Sequence, residues 1–179
     1  MPDGDRGLGI GDQRAGLWWL WLSALVLVLD QATKQLVMAS LTPYQEVIAV
    51  TPFFNLVHVH NTGAAFSLFA DQSGWQRWFF LAVASIASGV ILWLLAGTRG
   101  RAVFAIGLAL ILGGALGNLV DRLAYGHVVD FLDFHFAGWH WPAFNLADSA
   151  ITLGAGLLIW DGLWGKGADT QRRKDTGDP

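Results

Sequence analysis

The sequence contains two long apolar runs without a charged residue, and these runs limit the possible folds more than any other feature. One covers 21 residues from Trp78 to Thr98, and the other covers 19 residues from Ala102 to Val120. About 20 apolar residues in a helix are enough to cross the hydrocarbon core of a bilayer. Each run therefore predicts one membrane-spanning helix.

Two further apolar segments carry charges near their ends. The first begins at Ala15 and continues past Asp30 and Lys34, and the last runs from about Pro142 to Trp164. The first could be mistaken for a cleaved signal peptide, but a run of about 25 residues exceeds the ~7–15 apolar residues of such a core. We therefore predict that it is retained, and that four helices cross the membrane at about 17–40, 75–98, 102–122 and 143–164.

The composition agrees with an integral membrane protein. Hydrophobic residues make up 54% of the 179 residues and charged residues only 14%, whereas an ordinary soluble domain has about 25% charged residues. The net charge of -3 and the lack of a basic patch argue against nucleic acid as a partner. The sequence has no cysteine, which excludes disulfides, thiolate nucleophiles and thiolate metal sites.

The region between the first two predicted helices has a different pattern. Pro43 and Pro52 separate short β-branched and aromatic runs, and the run from Phe53 to His60 alternates with a period of two. Open strands cannot stand in lipid, because their backbone hydrogen-bonding groups would be left without partners. We predict a small sheet at about 42–69, outside the bilayer core.

The basic residues predict the orientation of the chain. Four spans put both termini and the loop after the second helix on the same side of the membrane, and this side holds eight of the 11 lysines and arginines. Loops rich in Lys and Arg stay in the cytoplasm. We therefore expect residues 1–16 to be a disordered cytoplasmic tail, residues 17–164 to be a single membrane domain, and residues 165–179 to be a second cytoplasmic tail.

Polar residues collect at the predicted outer end of the third helix. Asn118, Asp121 and Arg122 follow two glycines, Gly113 and Gly117, whose spacing permits close helix contact. Charged groups at the bilayer centre cost at least ~2.5–3.5 kcal/mol, so they usually face a protein interior or a wet cavity. The three polar residues therefore predict an Asp–Arg structural clamp, a substrate-binding group, or both.

Asp30 and Lys34 form a separate charged pair in the first helix. Their i, i+4 spacing puts them on one helical face. They predict either a structural ion pair near the interface or support for a neighbouring site.

Two acids could carry the chemistry of peptide hydrolysis. Asp130 follows in a loop after Gly126, and Asp148 stands at the start of the fourth helix, three residues after Asn145. Each has an ordinary explanation, since loops contain acids and the helix dipole favours a carboxylate at a helix N-terminus. If they lie close together, however, they would share one proton. One could then act as a general base on water and the other as a general acid. Spacing alone does not bring them together.

Three other chemistries compete with this interpretation. A metal site would lack the H-E-x-x-H motif and compact tetrahedral spacing. Ser67 and Ser149 lack the G-x-S-x-G setting of a serine nucleophile. A small proton- or ion-coupled transporter is the strongest rival, because acids within a membrane often mark ion paths; yet the acids here cluster at one face. The residues that could suggest a metal site are His127, Asp130, Asp133, His135 and His140.

Five segments of the chain, taken in order, form a recognisable series. They are Asp30 with Lys34, then Asn61 to Phe66, Gly113 to Arg122, Val128 to Phe131, and Phe144 to Asp148. In residue type and order they resemble the motifs of the bacterial prolipoprotein signal peptidases (signal peptidase II). The resemblance implies four transmembrane helices with a small extracytoplasmic β-cradle. It also implies an aspartic endopeptidase that cleaves signal peptides just before a diacylglyceryl-modified cysteine.

The resemblance also implies roles for single residues. Asp130 and Asp148 would be the catalytic pair, with Asp30 and Lys34 as structural support, and Asp133 would be an additional acid outside the motifs. No metal or organic cofactor is implied. The expected partners are prolipoproteins bearing a diacylglyceryl cysteine, membrane lipids and the family's cyclic peptide inhibitors, and the expected location is near the periplasmic face of the bacterial inner membrane. The expected substrate-binding residues are Asn61, Gly63, Asn118, Asp121, Arg122 and Asn145.

Overall fold

The computed structural model describes residues 12–63 and 75–165. Four helices form the bundle: α1 (Leu20–Ser40), α2 (Trp75–Gly97), α3 (Ala102–Ala124) and α4 (Leu146–Trp160). A 3-10 helix, Asp12–Trp19, leads into α1, and a π-helical turn, Asp161–Gly165, extends α4. Within the described residues, four helices, counted with these extensions, are long and apolar enough to cross a membrane. The predicted fold class, four transmembrane helices with a small β part, is confirmed.

The observed ends of the elements differ from the predicted ones at several places. Residues 12–16, predicted as part of a disordered tail, belong to the 3-10 helix. Helix α3 continues to Ala124 and ends before Gly126, which adopts a positive φ of 81°. Helix α4 begins at Leu146 rather than near residue 143, because Asn145 has extended backbone angles and caps the helix.

Helix α3 lies at the centre of the bundle and packs against the other three helices. Close approach depends on its glycines. A Cβ atom added to Gly113 would lie 2.7 Å from the carbonyl oxygen of Ser23 in α1. A Cβ atom added to Gly117 would lie 2.5 Å from a carboxylate oxygen of Asp30. The small residues therefore bring α1 and α3 into contact at the level of the charged pair.

The bundle is apolar on its outside as well as in its core. Leu95, Leu112 and Ala109 are buried between the helices. Large apolar side chains such as Ile86 and Trp93 project outward and are 67% and 73% exposed. An apolar outer surface of this extent suits lipid rather than water.

An antiparallel sheet of four strands stands at one end of the bundle, in the order β1 (Ile48–Thr51), β2 (Phe54–Asn61), β3 (Val128–Phe136) and β4 (Trp139–His140). The segment predicted as the cradle, residues 42–69, therefore contains only β1 and β2. Its residues 64–69, which include Ser67, lie outside the described part of the chain. The period of two in β2 is interrupted by a bulge between Leu56 and Val59.

Asp130 lies within strand β3 and not in a loop, which corrects the prediction. It pairs with Val59 of β2, and Val128 pairs with Asn61. Residues 59 and 130 are far apart in sequence, so no local pattern indicated their pairing. The pairing fixes which side chains of the two strands share one face.

Candidate active site

A cavity of about 860 Å³ opens between the sheet and the adjoining ends of α3 and α4. Asp130 and Asp148 both contribute to its wall. The segments that carry the two acids are hydrogen-bonded to each other at Phe144. The carbonyl oxygen of Phe144 accepts from the backbone N–H groups of Phe131 and Leu132 at 3.0 and 2.8 Å. This contact ties the segment before α4 to strand β3. Other predicted site residues in the wall are Asn61, Gly63, Asn118 and Arg122.

Asp130 is held by two amide side chains and is only 2% exposed. Asn145 donates from Nδ2 to one carboxylate oxygen at 2.7 Å, and Asn61 donates to the other at 3.0 Å. Burial, and then the nearby Asp148 carboxylate, raise the pKa of Asp130 to about 7, although the two amides act in the opposite direction. At neutral pH, Asp130 is therefore able to hold a proton.

Asp148 occupies the first turn of α4, where the helix dipole favours a carboxylate. Its Oδ1 accepts a hydrogen bond from Nδ2 of Asn118 at 2.8 Å. Its backbone N–H donates to Oδ1 of Asn145 at 2.9 Å, which caps the helix. The cap therefore places Asp148 and also sets the amide that holds Asp130.

The side-chain amides of Asn61, Asn145 and Asn118 are each oriented by a group that donates to the amide oxygen. Gly63 N–H donates to the oxygen of Asn61 at 3.1 Å, so the NH₂ group of Asn61 faces Asp130. The cap bond does the same for Asn145. Lys34 donates to the oxygen of Asn118 at 3.1 Å, and an ammonium group can only donate. The NH₂ group of Asn118 therefore faces Asp148.

The predicted pair of Asp30 and Lys34 is present and extends to a third charge. Lys34 Nζ lies 2.8 Å from carboxylate oxygens of both Asp30 and Asp121, and all three residues are 0% exposed. Asp30 also accepts from the N–H of Ala147 at 2.9 Å, and Asp121 accepts from the N–H of Val129 at 3.1 Å. The buried cluster of Asp30, Lys34 and Asp121 thus fixes the backbone of Ala147 and Val129, the residues that precede Asp148 and Asp130.

The predicted clamp between Asp121 and Arg122 is not formed, because the ion pair of Asp121 is with Lys34 and Asp121 is fully buried. A substrate-binding role for Asp121 stays a prediction. Arg122 instead donates to the carbonyl oxygen of Gly63 at 3.1 Å, and its guanidinium stacks 4.8 Å from the ring centre of Phe80. Arg122 is therefore the cation in the cavity wall, while Asp121 is a partner of Lys34.

The family "Signal peptidase (SPase) II" matches residues 22–164, which is most of the chain. The chain belongs to the signal peptidase II family.

Curated relatives in this family are similar over most of their length. The lipoprotein signal peptidase of Burkholderia mallei is 56% identical over 145 residues, which cover 81% of this chain and 87% of the relative. That of Aeromonas hydrophila is 53% identical over 151 residues, covering 84% and 90%. A bacterial membrane enzyme solved by the in meso method at 2.3 Å resolution has a TM-score of 0.72 and 29% identity, covering 87% of this chain and 89% of its own.

Asp133, the acid outside the signal peptidase II motifs, is bound elsewhere on the sheet. It is three residues from Asp130 on the same strand, so strand alternation directs it to the other face. Its carboxylate accepts from Asn55 Nδ2 at 2.9 Å and lies 2.8 Å from His140 Nδ1. Burial would raise the pKa of Asp133, but the hydrogen bonds from His140 and Asn55 outweigh it and lower that pKa.

Sequence reasoning missed three residues that contact the signal peptidase II motifs or Asp133. Gln31 donates to Asp121 at 2.8 Å, Asn55 holds Asp133, and Phe80 lies under Arg122. Each is an ordinary residue type for its element and gains its role only through a contact with a distant segment. In the described ranges 12–63 and 75–165, no group of three or more His, Cys, Asp or Glu side chains could hold a metal ion.

Proposed function

We propose that this multi-pass membrane peptidase is an aspartic endopeptidase that removes signal peptides from prolipoproteins. Membership of the signal peptidase II family supports the reaction. The aspartic mechanism is supported by one observation: Asp130 and Asp148 line the same cavity, and each accepts a hydrogen bond from an amide whose orientation is fixed. Apart from Asp161, the buried acids of the described residues lie at the end of the bundle that carries the sheet, which gives no support to the transporter alternative.

The two acids have different roles in the proposed reaction. Asp148 is the general base, which takes a proton from a water molecule as the water oxygen attacks the scissile carbonyl carbon. Asp130, with its pKa raised to about 7, donates its proton to the carbonyl oxygen. When the C–N bond breaks, the proton held by Asp148 passes to the leaving nitrogen. Asp130 recovers its proton as the new carboxyl group forms, so both acids return to their starting states.

Neighbouring polar groups bind the peptide. The N–H groups of Asn61 and Asn118 keep the acids in position, and Arg122 offers a guanidinium to a substrate carbonyl oxygen. Gly63 supplies backbone groups without a side chain that would narrow the cavity. Asn145 and Asp121 act from behind the wall, since both are fully buried.

The substrate is a precursor with a diacylglyceryl-modified cysteine, cleaved on the N-terminal side of that residue. Apolar side chains such as Trp141, Phe144, Ile151 and Leu153 form much of the cavity wall, which suits a peptide that carries lipid. Membrane lipids and cyclic peptide inhibitors would approach by the same opening. The termini lie in the cytoplasm and the cavity lies near the periplasmic face of the inner membrane, as the basic residues of the sequence predict.

A cleavage assay with the detergent-solubilised chain tests this proposal directly. One synthetic substrate carries the diacylglyceryl group on its cysteine, and a matched substrate has the same peptide with an unmodified cysteine. We expect cleavage before the cysteine of the first substrate only, and unchanged activity in EDTA. Equal cleavage of both substrates would contradict the proposed specificity, and loss in EDTA that zinc restores would contradict a two-acid mechanism. Ion flux through liposomes containing the chain, without lipopeptide cleavage, would favour the transporter.

A further inference from the structure

A second cavity lies beside the catalytic one, and the reaction proposed above does not use it. Its volume is about 500 Å³. Within the described residues it is lined by aromatic side chains and His135, without a lysine, arginine, aspartate or glutamate. We call this cavity the aromatic groove. Its aromatic lining residues are Phe53, Phe134, Phe136, Trp139, Trp141 and Phe144.

The β3–β4 hairpin gives the aromatic groove a fixed shape. Ala137 and Gly138 both have positive φ angles, 50° and 82°, as a tight two-residue hairpin turn requires. This turn sets Phe136 opposite Trp139, and the two side chains are 79% and 60% exposed. Large apolar side chains that stay exposed together in a fixed position indicate a binding surface.

The aromatic groove continues the catalytic cavity along strand β3. Trp141 and Phe144 line both cavities. The backbone N–H of Trp141 donates to the carbonyl oxygen of Phe134 at 2.8 Å, which fixes Trp141 against the strand. Phe134 and Phe136 lie an even number of residues after Asp130, so all three side chains are on the same face of β3. A ligand in the catalytic cavity can therefore extend into the groove along this face.

The chemistry of the aromatic groove favours a hydrocarbon chain over a peptide. A peptide that binds as an added strand needs free backbone groups along its path. Here the carbonyl oxygen of Phe134 accepts from Trp141, and the N–H of His135 donates to the carbonyl oxygen of Phe53 at 2.9 Å. Peptide groups placed against the aromatic rings would lose their hydrogen bonds to water, which is a cost that an acyl chain does not have.

We propose that the aromatic groove binds one acyl chain of the diacylglyceryl group on the substrate. This assignment rests on the proposed peptidase function, in which the lipid is attached to the residue directly after the scissile bond. Residues of a strand are ~3.3 Å apart, so Phe134 and Phe136 lie ~13 and ~20 Å from Asp130 along β3. An extended sixteen-carbon chain advances about 1.2 Å per bond, as an extended backbone does, and is ~18 Å long. With its glyceryl link, such a chain reaches from the catalytic cavity to the hairpin.

Kinetics with two synthetic lipopeptides test the assignment. The substrates share one peptide and differ only in their acyl chains, of sixteen or four carbons; a four-carbon chain of about 5 Å stays within the catalytic cavity. For each substrate, Trp139→Ala is compared with the wild type in the same detergent, so that partitioning into micelles affects both alike. We expect Trp139→Ala to raise KM for the sixteen-carbon substrate about tenfold, because a large apolar contact is lost. We expect kcat, and KM for the four-carbon substrate, to be unchanged.

Two further variants complete the test. Trp93→Ala is the matched control, because Trp93 is 73% exposed on α2 and does not line either cavity as the described residues form them. It should leave KM unchanged for both substrates. Phe136→Ala removes another side chain of the aromatic groove and should raise KM for the sixteen-carbon substrate only. Since Phe136 is highly exposed, this variant provides the test if a thermal melt shows that Trp139→Ala unfolds.

Three results would overturn the assignment while cleavage by the wild type leaves the proposed function standing. The first is an equal rise in KM for both substrates, which would mean that the aromatic groove binds peptide. The second is an unchanged KM in both Trp139→Ala and Phe136→Ala. The third is a rise in Trp93→Ala as large as that in Trp139→Ala. If the wild type cleaves neither substrate, the proposed function itself is contradicted, and the assignment with it.

Discussion

Asp130 and Asp148 are the same residue type, and their surroundings make them different. Asp130 comes from a strand, is almost fully buried and receives amide donors on both oxygens. Asp148 comes from the first turn of a helix and receives the amide of Asn118. Burial favours the protonated form of Asp130, whereas Asp148 lies at the positive end of the α4 dipole. One acid and one base can therefore come from two aspartates.

The first prediction concerns these two side chains. Asp130→Asn and Asp148→Asn should each abolish cleavage of the lipopeptide, because neither an acid nor a base remains at the changed position. Both amides fit the same space, so the proteins should stay folded in a thermal melt. Asp133→Asn is the matched control and should keep most of the activity, since Asp133 is bound by Asn55 and His140 on the other face. If this control is as inactive as Asp130→Asn, the acid has been misassigned.

The second prediction uses the raised pKa of Asp130. An ordinary aspartate has a pKa of about 3.9, and Asp130 has one of about 7. Between these values the folded protein binds a proton that the unfolded chain does not. The stability contributed by this group is therefore present at low pH and is lost as pH rises toward about 7. We expect the drop in melting temperature between about pH 5 and 8 to be smaller in Asp130→Asn than in the wild type. An identical drop in melting temperature in both proteins would contradict a raised pKa of Asp130.

At the scale of the elements, α3 carries the site because it lets α1 come close. Gly117 gives room to Asp30, and Asp30 then receives both Lys34 and the N–H of Ala147 at the start of α4. A helix–helix contact in the core of the bundle thus positions the first turn that bears Asp148. The sheet contributes the other half of the site through β3.

The third prediction tests that contact. In Gly117→Val, the added side chain would overlap with the carboxylate of Asp30, which a Cβ atom alone would approach to 2.5 Å. We expect a loss of about 1–3 kcal/mol in the free energy of unfolding, typical of an overpacked core, and a loss of cleavage. Gly156→Ala in α4 is the control, because a Cβ atom there meets nothing within 4 Å. The stability of the control should be unchanged or slightly raised, by up to ~1 kcal/mol.

If Gly117→Val melts and cleaves like the wild type, the close approach of α1 and α3 does not position the site.

For the whole molecule, charged residues of the bundle gather at its two ends and are buried to different degrees there. At the end with the sheet, Lys34 lies between two acids and is fully buried. At the other end, Arg101 pairs with Asp161, and Arg101 is about half exposed. This asymmetry, together with the basic residues of the tails, predicts that the sheet faces the periplasm.

The fourth prediction tests the orientation in cells. The chain has no cysteine, so single cysteines can be labelled without interference. Phe136, at the tip of the β3–β4 hairpin, is 79% exposed, and Arg99 is exposed in the loop between α2 and α3. A membrane-impermeant maleimide applied to spheroplasts, which lack the outer membrane, should label Phe136→Cys, and should label Arg99→Cys only after the inner membrane is opened. The reverse pattern would place the sheet in the cytoplasm.

The sequence by itself determined the four spans and the residue types of the site. Apolar length is a local property, and the cost of charge in lipid makes every polar residue within a span informative. The ordered motifs also indicated the family before any geometry was known. These features can be read from neighbouring residues alone, so they did not depend on how distant segments meet.

Only the tertiary structure decided how the polar residues pair. The β2–β3 register brings Asn61 to Asp130. The ion pair of Asp121 is with the buried Lys34 and not with Arg122, its neighbour in the sequence. Lys34 also turns the amide of Asn118 toward Asp148. Each of these contacts joins segments far apart in the sequence, where local spacing sets no distance. A hydrogen bond is directional, so its partner is known only once both segments have been placed.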